Sequence, residues 1–190
     1  IQDLEKASIT YKGVIKKNDL PTGCCNILVS PDGERTMATH IGIGSQLHPN
    51  ELSEESLQGI DHIYMESYLW DHDLTKQTLK KVGTIAKAMN IETSLSLSDP
   101  FCVDRHRDEL QSFIEEYVDL VFCNFDEAKR FAQSETMADV SVFFQSFEKK
   151  IAMTTGAEGA YYFHGKSVAH QPAQKITHVI DTTGAGDNFA

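Results

Sequence analysis

The sequence predicts an α/β fold: a mainly parallel sheet with helices on both faces, plus a small separate β-sheet near the start of the chain. From about residue 52 onward, short apolar runs alternate with amphipathic helical patterns, which is typical of βαβ units. Residues 9–43 are instead rich in strand-like runs. Hydrophobic residues make up 41% of the 190 residues, which suits one ordinary domain with a sizeable core.

The β-rich part predicts a sheet of two or three strands. Two strand-like runs, 24–29 and 35–41, flank residues 31–34 with the sequence Pro-Asp-Gly-Glu. This order predicts a hairpin, because Gly tolerates a positive φ angle in a tight turn. The adjacent Cys24 and Cys25 lie in an apolar run, and we expect both thiols to be buried.

The rest of the chain predicts strands and helices in alternation. Apolar runs of strand length predict strands at 60–65, 91–97, 118–123 and 151–155, a hairpin of 160–163 with 167–170, and a last strand ending at 179–180. Helical spacing predicts the end of a helix at 1–6 and helices at 74–89, 110–117, 126–133 and 140–147, the last with Thr136 as its N-cap. In such sheets the functional residues lie beyond the carboxyl ends of the strands.

Charge and cysteine usage exclude several classes of protein. The formal net charge of −11 disfavours nucleic acid, whose phosphates attract basic surfaces. No apolar stretch approaches the roughly 20 residues that span a membrane, so we expect no membrane insertion. The four cysteines form no Cys-x-x-Cys pair, which disfavours a zinc knuckle, and free thiols suit a cytoplasmic location. The chain begins with Ile1, so its start looks cut and the lack of a signal peptide says little.

The last segment carries the clearest chemistry. Residues 181–187 read Asp-Thr-Thr-Gly-Ala-Gly-Asp after a predicted strand. The glycines allow close approach of backbone to a ligand, and N–H groups at a helix start there would favour an anion. Asp187 could accept a proton from an attacking hydroxyl while those N–H groups hold a transferring phosphoryl group. On spacing alone, a plain glycine-rich turn with Asp as N-cap is an equal alternative.

Taken with its flanks, this segment resembles the C-terminal signature of the ribokinase-like (phosphofructokinase-B) family of ATP-dependent sugar and nucleoside kinases. Other segments resemble the family in the same order: Thr22-Gly23 followed by a hairpin at 31–36 that looks like the family's lid, Gly42-Ile43-Gly44, Ser98-Asp99-Pro100-Phe101, Asn124-x-x-Glu127 and Thr154-x-Gly156-x-x-Gly159. The resemblance covers essentially the whole chain.

The resemblance implies a role for each matching residue. Asp187 would be the catalytic base, and the backbone N–H groups of Gly184, Ala185 and Gly186 would form an anion hole. ATP and its phosphates would be bound by Asn124, Glu127, Thr154, Gly156, Gly159, Thr182 and, from the lid, Arg35. Asn124 and Glu127 would also organise Mg²⁺, through water. Phe101 would line the substrate pocket.

Each assignment has a structural alternative. Asn124 and Glu127 suit an N-cap and a first-turn acid, Gly156 and Gly159 suit a turn, and Arg35 suits an exposed hairpin charge. Phe101, Tyr68 and Trp70 suit either core or pocket rim. The sequence Asp71-His72-Asp73 resembles a metal cluster, but a helix cap before residue 74 is the preferred interpretation.

The resemblance also implies an organisation and a reaction. Residues 9–47 would form the lid, and residues 1–8 and 48–190 an α/β core that is truncated at both ends. We expect this piece alone to be inactive, because three residues after Asp187 cannot form the helix that an anion hole needs. The lid could also pair two subunits into a homodimer.

The implied activity is ATP-dependent phosphorylation of a hydroxymethyl group on an adenosine-like nucleoside. Alternatives are a sugar kinase of the same family, acting on ribose, fructose or 2-keto-3-deoxygluconate, and a non-catalytic nucleotide-binding member. A dinucleotide-binding oxidoreductase is disfavoured, since its glycine motif follows the first strand and here the motif comes last.

Overall fold

The structure is a computed structural model that describes residues 2–11, 20–31, 35–176 and 182–190. The strands are β1 (Thr22–Val29), β2 (Arg35–Gly42), β3 (His62–Glu66), β4 (Glu92–Ser96), β5 (Leu120–Asn124), β6 (Lys150–Thr154), β7 (Ala160–His164) and β8 (Ser167–Gln171). The helices are α1 (Gln2–Lys6), α2 (Asp73–Met89), α3 (Pro100–Tyr117), α4 (Phe125–Ala132) and α5 (Met137–Ser146). Among the residues described, no helix is long and apolar enough to cross a membrane.

The larger sheet has six strands in the order β3-β4-β5-β6-β7-β8. The first four strands are parallel, and β7 and β8 continue the sheet as an antiparallel hairpin. This confirms the predicted α/β class with a mainly parallel core. The predicted last strand at 179–180 lies outside the described residues, as does Asp181.

The core lies between this sheet and helices α2 to α5. Alternate residues of the strands, such as Leu95, Val121 and Met153, are buried in one cluster with helix residues such as Leu110 and Phe144. The helices contact one another in sequence, α2 with α3, α3 with α4, and α4 with α5. They therefore form one layer on one face of the sheet.

Helices α2 to α5, which connect the parallel strands, all lie on one face of the sheet, and a second helical layer on the other face remains a prediction. Successive parallel strands always advance in the same direction across the sheet, and right-handed crossovers then place every connecting helix on the same side. On the opposite face, which we call the open face, the strands present Tyr64, Phe122 and Tyr162 outside the buried cluster. This face is where the last loop of the chain lies.

Local signals account for several helix boundaries. The Asp99 side chain accepts a hydrogen bond from the Phe101 N–H, with Pro100 at the first helical position of α3. The predicted cap of α5 is confirmed, since the Thr136 hydroxyl oxygen accepts from the Asp139 N–H. Helix α2 ends at Met89, and the left-handed backbone of the following Asn90 caps it.

Strands β1 and β2 form a separate antiparallel ribbon, which confirms the predicted hairpin pairing. The turn at residues 32–34 lies outside the described residues. The expectation of buried thiols is wrong, because Cys24 and Cys25 are both exposed. A two-stranded ribbon has no second layer to cover its apolar side chains, so apolar sequence does not produce burial there. The division into a lid (9–47) and a core remains a prediction.

Candidate active site

The carboxyl ends of the parallel strands bring most of the predicted site residues to one edge of the sheet. Asn124 and Thr154 end β5 and β6 and are direct partners in the ladder. Asp99 and Phe101 follow β4 at the start of α3, and Glu66 ends β3. In open α/β sheets this edge is where ligands bind.

The loop 182–190 consists of consecutive turns, with no helix assigned to it. The Asn188 N–H donates to the Gly184 carbonyl at 2.9 Å, and the Ala190 N–H donates to the Gly186 carbonyl at 3.2 Å. The Ala185 N–H donates to the Thr182 carbonyl at 3.1 Å, so it is not free to bind an anion in this conformation. Ala185 is one of the three predicted donors of the anion hole, which remains a prediction.

Arg35 joins the β1–β2 ribbon to this loop. Its Nη1 donates to the Thr182 carbonyl at 3.0 Å, across 147 residues of sequence. The contact places the guanidinium beside the glycine-rich segment. Arg35 is exposed, as the structural alternative held, and its role towards phosphate remains a prediction.

Asn124 and Glu127 form a capping box at the start of α4, so their structural interpretation is confirmed. The Glu127 N–H donates to Asn124 Oδ1 at 2.9 Å. The two Glu127 carboxylate oxygens accept from the Asn124 N–H at 2.9 Å and from Asn124 Nδ2 at 2.7 Å. These bonds fix the orientation of the Glu127 carboxylate, and each of its oxygens keeps a second acceptor position. In the described ranges, no group of three or more His, Cys, Asp or Glu residues is arranged to hold a metal ion.

Burial raises the pKa of Glu127 to about 7, because only 5% of the residue is exposed. The hydrogen bond from the Asn124 N–H lowers this pKa, and the neighbouring Asp99 and Asp126 carboxylates raise it. Glu127 is therefore a carboxyl group that can exchange a proton near neutral pH.

This raised pKa predicts a pH-dependent stability that Glu127→Gln removes. The carboxyl has a pKa near 4.3 in an unfolded chain and about 7 when folded, so the folded state binds more protons between these values. The unfolding free energy of the wild type should fall as pH rises from about 4.5 to 7, by up to about 3 kcal/mol relative to Glu127→Gln. Urea unfolding of both proteins at pH 5, 6, 7 and 8 measures this.

Asp126→Asn is the matched control, because Asp126 is next in sequence but exposed and paired with Lys129 at 2.8 Å. It should keep the fall in stability with rising pH, with a slightly lower midpoint because the Asp126 charge is the smallest of the causes that shift the Glu127 pKa. Parallel curves for the wild type and Glu127→Gln would show that Glu127 is ionised throughout this range.

The segment Thr154 to Gly159 is a turn between β6 and β7, as the structural alternative held. The Thr155 N–H and hydroxyl both donate to the Gly159 carbonyl, at 2.8 and 2.9 Å. Gly159 has a φ of 110°, and a Cβ there would lie 2.1 Å from the Gln171 carbonyl oxygen. Gly156 has a φ of 59° but open space around it. Packing thus accounts for Gly159, whereas Gly156 is free to face a ligand.

Glu66 is a site residue that the sequence reasoning missed. Burial raises its pKa, and the charge of Asp187 raises it further. Burial also raises the pKa of Tyr64, and Glu66 and Asp187 add to this. The signal was present in the sequence, since Glu66 is an acidic residue at the carboxyl end of a predicted parallel strand.

Two aromatic side chains lie at the rim of this edge. Phe101 is 70% exposed at the start of α3. Tyr68 is also exposed, and its hydroxyl donates to the Ser98 carbonyl at 3.0 Å. Burial and the Asp99, Glu127 and Glu66 charges raise the pKa of Tyr68 to about 12. Trp70 is fully buried, so of the three aromatics only Trp70 belongs to the core.

The expectation that Asp71 or Asp73 caps α2 is wrong. The N-cap position is His72, whose side chain makes no capping bond. Asp71 instead accepts from Arg105 at 2.7 Å and contacts His106 at 2.9 Å. Although burial alone would raise the pKa of Asp71, these hydrogen bonds hold it below its usual value. Asp71 thus bonds to side chains on α3 and does not cap α2.

An α/β sheet with a glycine-rich loop and a carboxylate above the carboxyl ends of its strands defines a protein of the ribokinase-like class. The sequence model of the pfkB family of carbohydrate kinases matches residues 1–190. The chain therefore belongs to that family.

Individual relatives agree with the class. The crystal structure of adenosine kinase from Sinorhizobium meliloti superposes with a TM-score of 0.92 at 31% identity, covering 98% of this chain and 57% of that one. A ribokinase of Staphylococcus aureus (strain COL) is 26% identical over 100% of this chain and 60% of its own length. An ATP-dependent ribose-1-phosphate kinase of Halopiger xanaduensis is 26% identical over 100% of this chain and 59% of its own length. The chain therefore spans about 60% of the length of these relatives.

Proposed function

We propose that the protein transfers a phosphoryl group from ATP to a hydroxymethyl group of an adenosine-like nucleoside. The observation that carries this proposal is the position of Asp187, in a glycine-rich loop that lies on the open face of the sheet and is held to the ribbon through Arg35 and Thr182. Phosphoryl transfer to a hydroxyl requires a base beside groups that bind the phosphates, and a carboxylate in a glycine-rich loop at the ligand-binding edge supports Asp187 in that role.

Each residue of the edge has a defined part in this reaction. Asp187 takes the proton of the attacking hydroxyl, and the loop N–H groups and Arg35 hold the phosphates once the loop is wound into a helix start. Thr154, Gly156 and Thr182 border the nucleotide. Asn124 and Glu127 would hold Mg²⁺ through water, and the ion would neutralise charge on the phosphates.

Exposed aromatic side chains favour a nucleoside over a sugar as acceptor. Phe101 and Tyr68 offer apolar ring faces at the rim of an acidic edge, and the stacking of a base on such rings is favourable. The similarity to an adenosine kinase structure supports the same choice. The ribokinase relative keeps a sugar acceptor as the second candidate.

A substrate panel tests the proposal on the gene product that contains these 190 residues. ATP consumption is measured with adenosine, ribose, fructose and 2-keto-3-deoxygluconate. We expect turnover with adenosine and a KM for adenosine that rises about tenfold in Phe101→Ala, as loss of one stacking contact predicts. Val142→Ala is the control, because Val142 is equally exposed but lies on α5.

Turnover with ribose but not adenosine would replace the nucleoside by the sugar alternative. Turnover with no acceptor in the panel, together with retained ATP binding, would favour a non-catalytic nucleotide-binding member. The 190-residue polypeptide by itself should show no turnover, since its Ala185 N–H is occupied and its loop forms no helix.

We also propose that two copies pair through the ribbon. One face of the ribbon presents Ile27, Val29, Met37 and Ile41, all more than a third exposed. A two-stranded sheet with such a face is marginal unless something covers it. Sedimentation equilibrium should show a dimer that Ile27→Glu dissociates.

Four free thiols and the use of ATP suit a cytoplasmic location for this protein.

A further inference from the structure

The loop that carries Asp187 is seated on the open face of the sheet by an aromatic contact. The Phe189 ring packs edge-to-face on Phe122, with ring centroids 6.2 Å apart and planes at 89°. Phe122 in turn contacts Tyr64, with centroids 6.3 Å apart. These three rings form a row from the loop to strand β3, which we call the aromatic row.

The register of the sheet shows how far the contact between Phe189 and Phe122 lies from Glu66. Glu66 pairs with Ser96 across β3 and β4, and Ser96 pairs with Phe122 across β4 and β5. Side chains in register lie on the same face of a sheet, so Phe122 is two strands from Glu66, about 10 Å away. A ring seated on Phe122 therefore holds the loop beside Glu66.

The loop transmits the position of this ring to the carboxylate. Phe189 is two residues from Asp187, and its N–H donates to the Gly186 carbonyl at 3.0 Å. The Asn188 N–H and Nδ2 both donate to the Gly184 carbonyl, at 2.9 and 2.8 Å. These bonds make the segment 184–189 one compact unit, and displacing the ring displaces Asp187 with it.

Phe122 is distinct from the core packing of the helix side. It lies outside the buried cluster between sheet and helices, whereas its strand neighbours Val121 and Cys123 belong to it. Its described ring contacts are with Tyr64 and Phe189. Replacing the Phe122 ring should therefore affect the packing of the loop and leave the packing of the helices unchanged.

We propose that Phe122 is a positioning residue for Asp187, acting through its ring contact with Phe189. This inference rests on the proposed kinase function and adds a residue that the family signature does not contain. A base displaced by about 1 Å loses on the order of a hundredfold in rate, so the contact has a measurable effect on turnover.

Phe122→Leu tests the proposal in the gene product, because leucine keeps an apolar side chain but removes the ring. We expect kcat to fall about 10- to 100-fold with KM for ATP changed less than about threefold. Phe122→Tyr keeps the ring and should retain wild-type kcat. Tyr162→Leu is the matched control, since Tyr162 lies in the same row of the open face, two strands beyond Phe122.

Hydrogen exchange gives a readout that needs no activity. In Phe122→Leu the amides of residues 184–190 should exchange faster, while those of α2 to α5 keep their wild-type rates. Faster exchange throughout the protein would mean that Phe122 contributes to overall stability and does not position the loop specifically. An equal loss of kcat in Tyr162→Leu would mean the same. Wild-type turnover with unchanged kcat in Phe122→Leu would overturn the inference and leave the kinase function standing. If the wild type shows no turnover, the exchange readout still tests the inference. Wild-type exchange rates for the amides of residues 184–190 in Phe122→Leu would then overturn it.

Discussion

Asp187→Asn should abolish most phosphoryl transfer, lowering kcat by about 10²- to 10⁴-fold, the range that general bases contribute. Asparagine keeps the size and polarity of the side chain but cannot accept the proton of the acceptor hydroxyl. The KM for ATP should change little, because the predicted phosphate contacts come from backbone N–H groups and Arg35. Steady-state kinetics of the gene product with adenosine measures both constants.

The neighbouring charges supply a control and a second readout. Asp126→Asn removes an exposed carboxylate from the same edge and should leave kcat near the wild-type value. Asp187→Asn should also lower the pKa of Glu66, because the Asp187 charge is one of the causes that raise it. If the variant keeps more than about a tenth of wild-type kcat, the base lies elsewhere, and Glu66 is the residue to test next.

Gly159→Ala should destabilise the fold by several kcal/mol, far more than Gly156→Ala. At Gly159 an L residue would be strained at a φ of 110°, and its Cβ would meet the Gln171 carbonyl oxygen at 2.1 Å and the Ala173 nitrogen at 2.7 Å. Strain and overpacking each cost about 1–3 kcal/mol. Gly156→Ala meets no atom within 4 Å and should cost only about 1 kcal/mol. Urea unfolding of the two variants measures the difference.

The same pair of variants separates packing from ligand binding. Gly156→Ala should fold and can be tested directly for ATP affinity, since its Cβ points into open space. Near-equal losses of stability in the two variants would contradict this prediction. They would mean that the backbone at 171–173 shifts to accommodate the Cβ at position 159 at little cost. Weakened ATP binding in Gly156→Ala alone would support the predicted contact with the nucleotide.

Much of the fold could be predicted because its signals are local. The Thr136 cap, the Asn124 and Glu127 box and the strand–helix alternation depend on residues within a few positions of each other. Asp187 was found in the same way, through a contiguous glycine-rich segment. Glu66 was missed because its meaning depends on Asp187, which is distant in sequence and reaches it only across the open face.

The order of strands and helices along the chain, the Thr136 cap and the glycine-rich loop with its carboxylate follow from local sequence patterns. Three features follow only from the tertiary structure: Cys24 and Cys25 are exposed, Asp71 pairs with Arg105 instead of capping a helix, and helices α2 to α5 share one face of the sheet. The physical reason is that burial, ion pairing and layer position depend on strand order and register. These join residues far apart in the chain, and no local pattern encodes them.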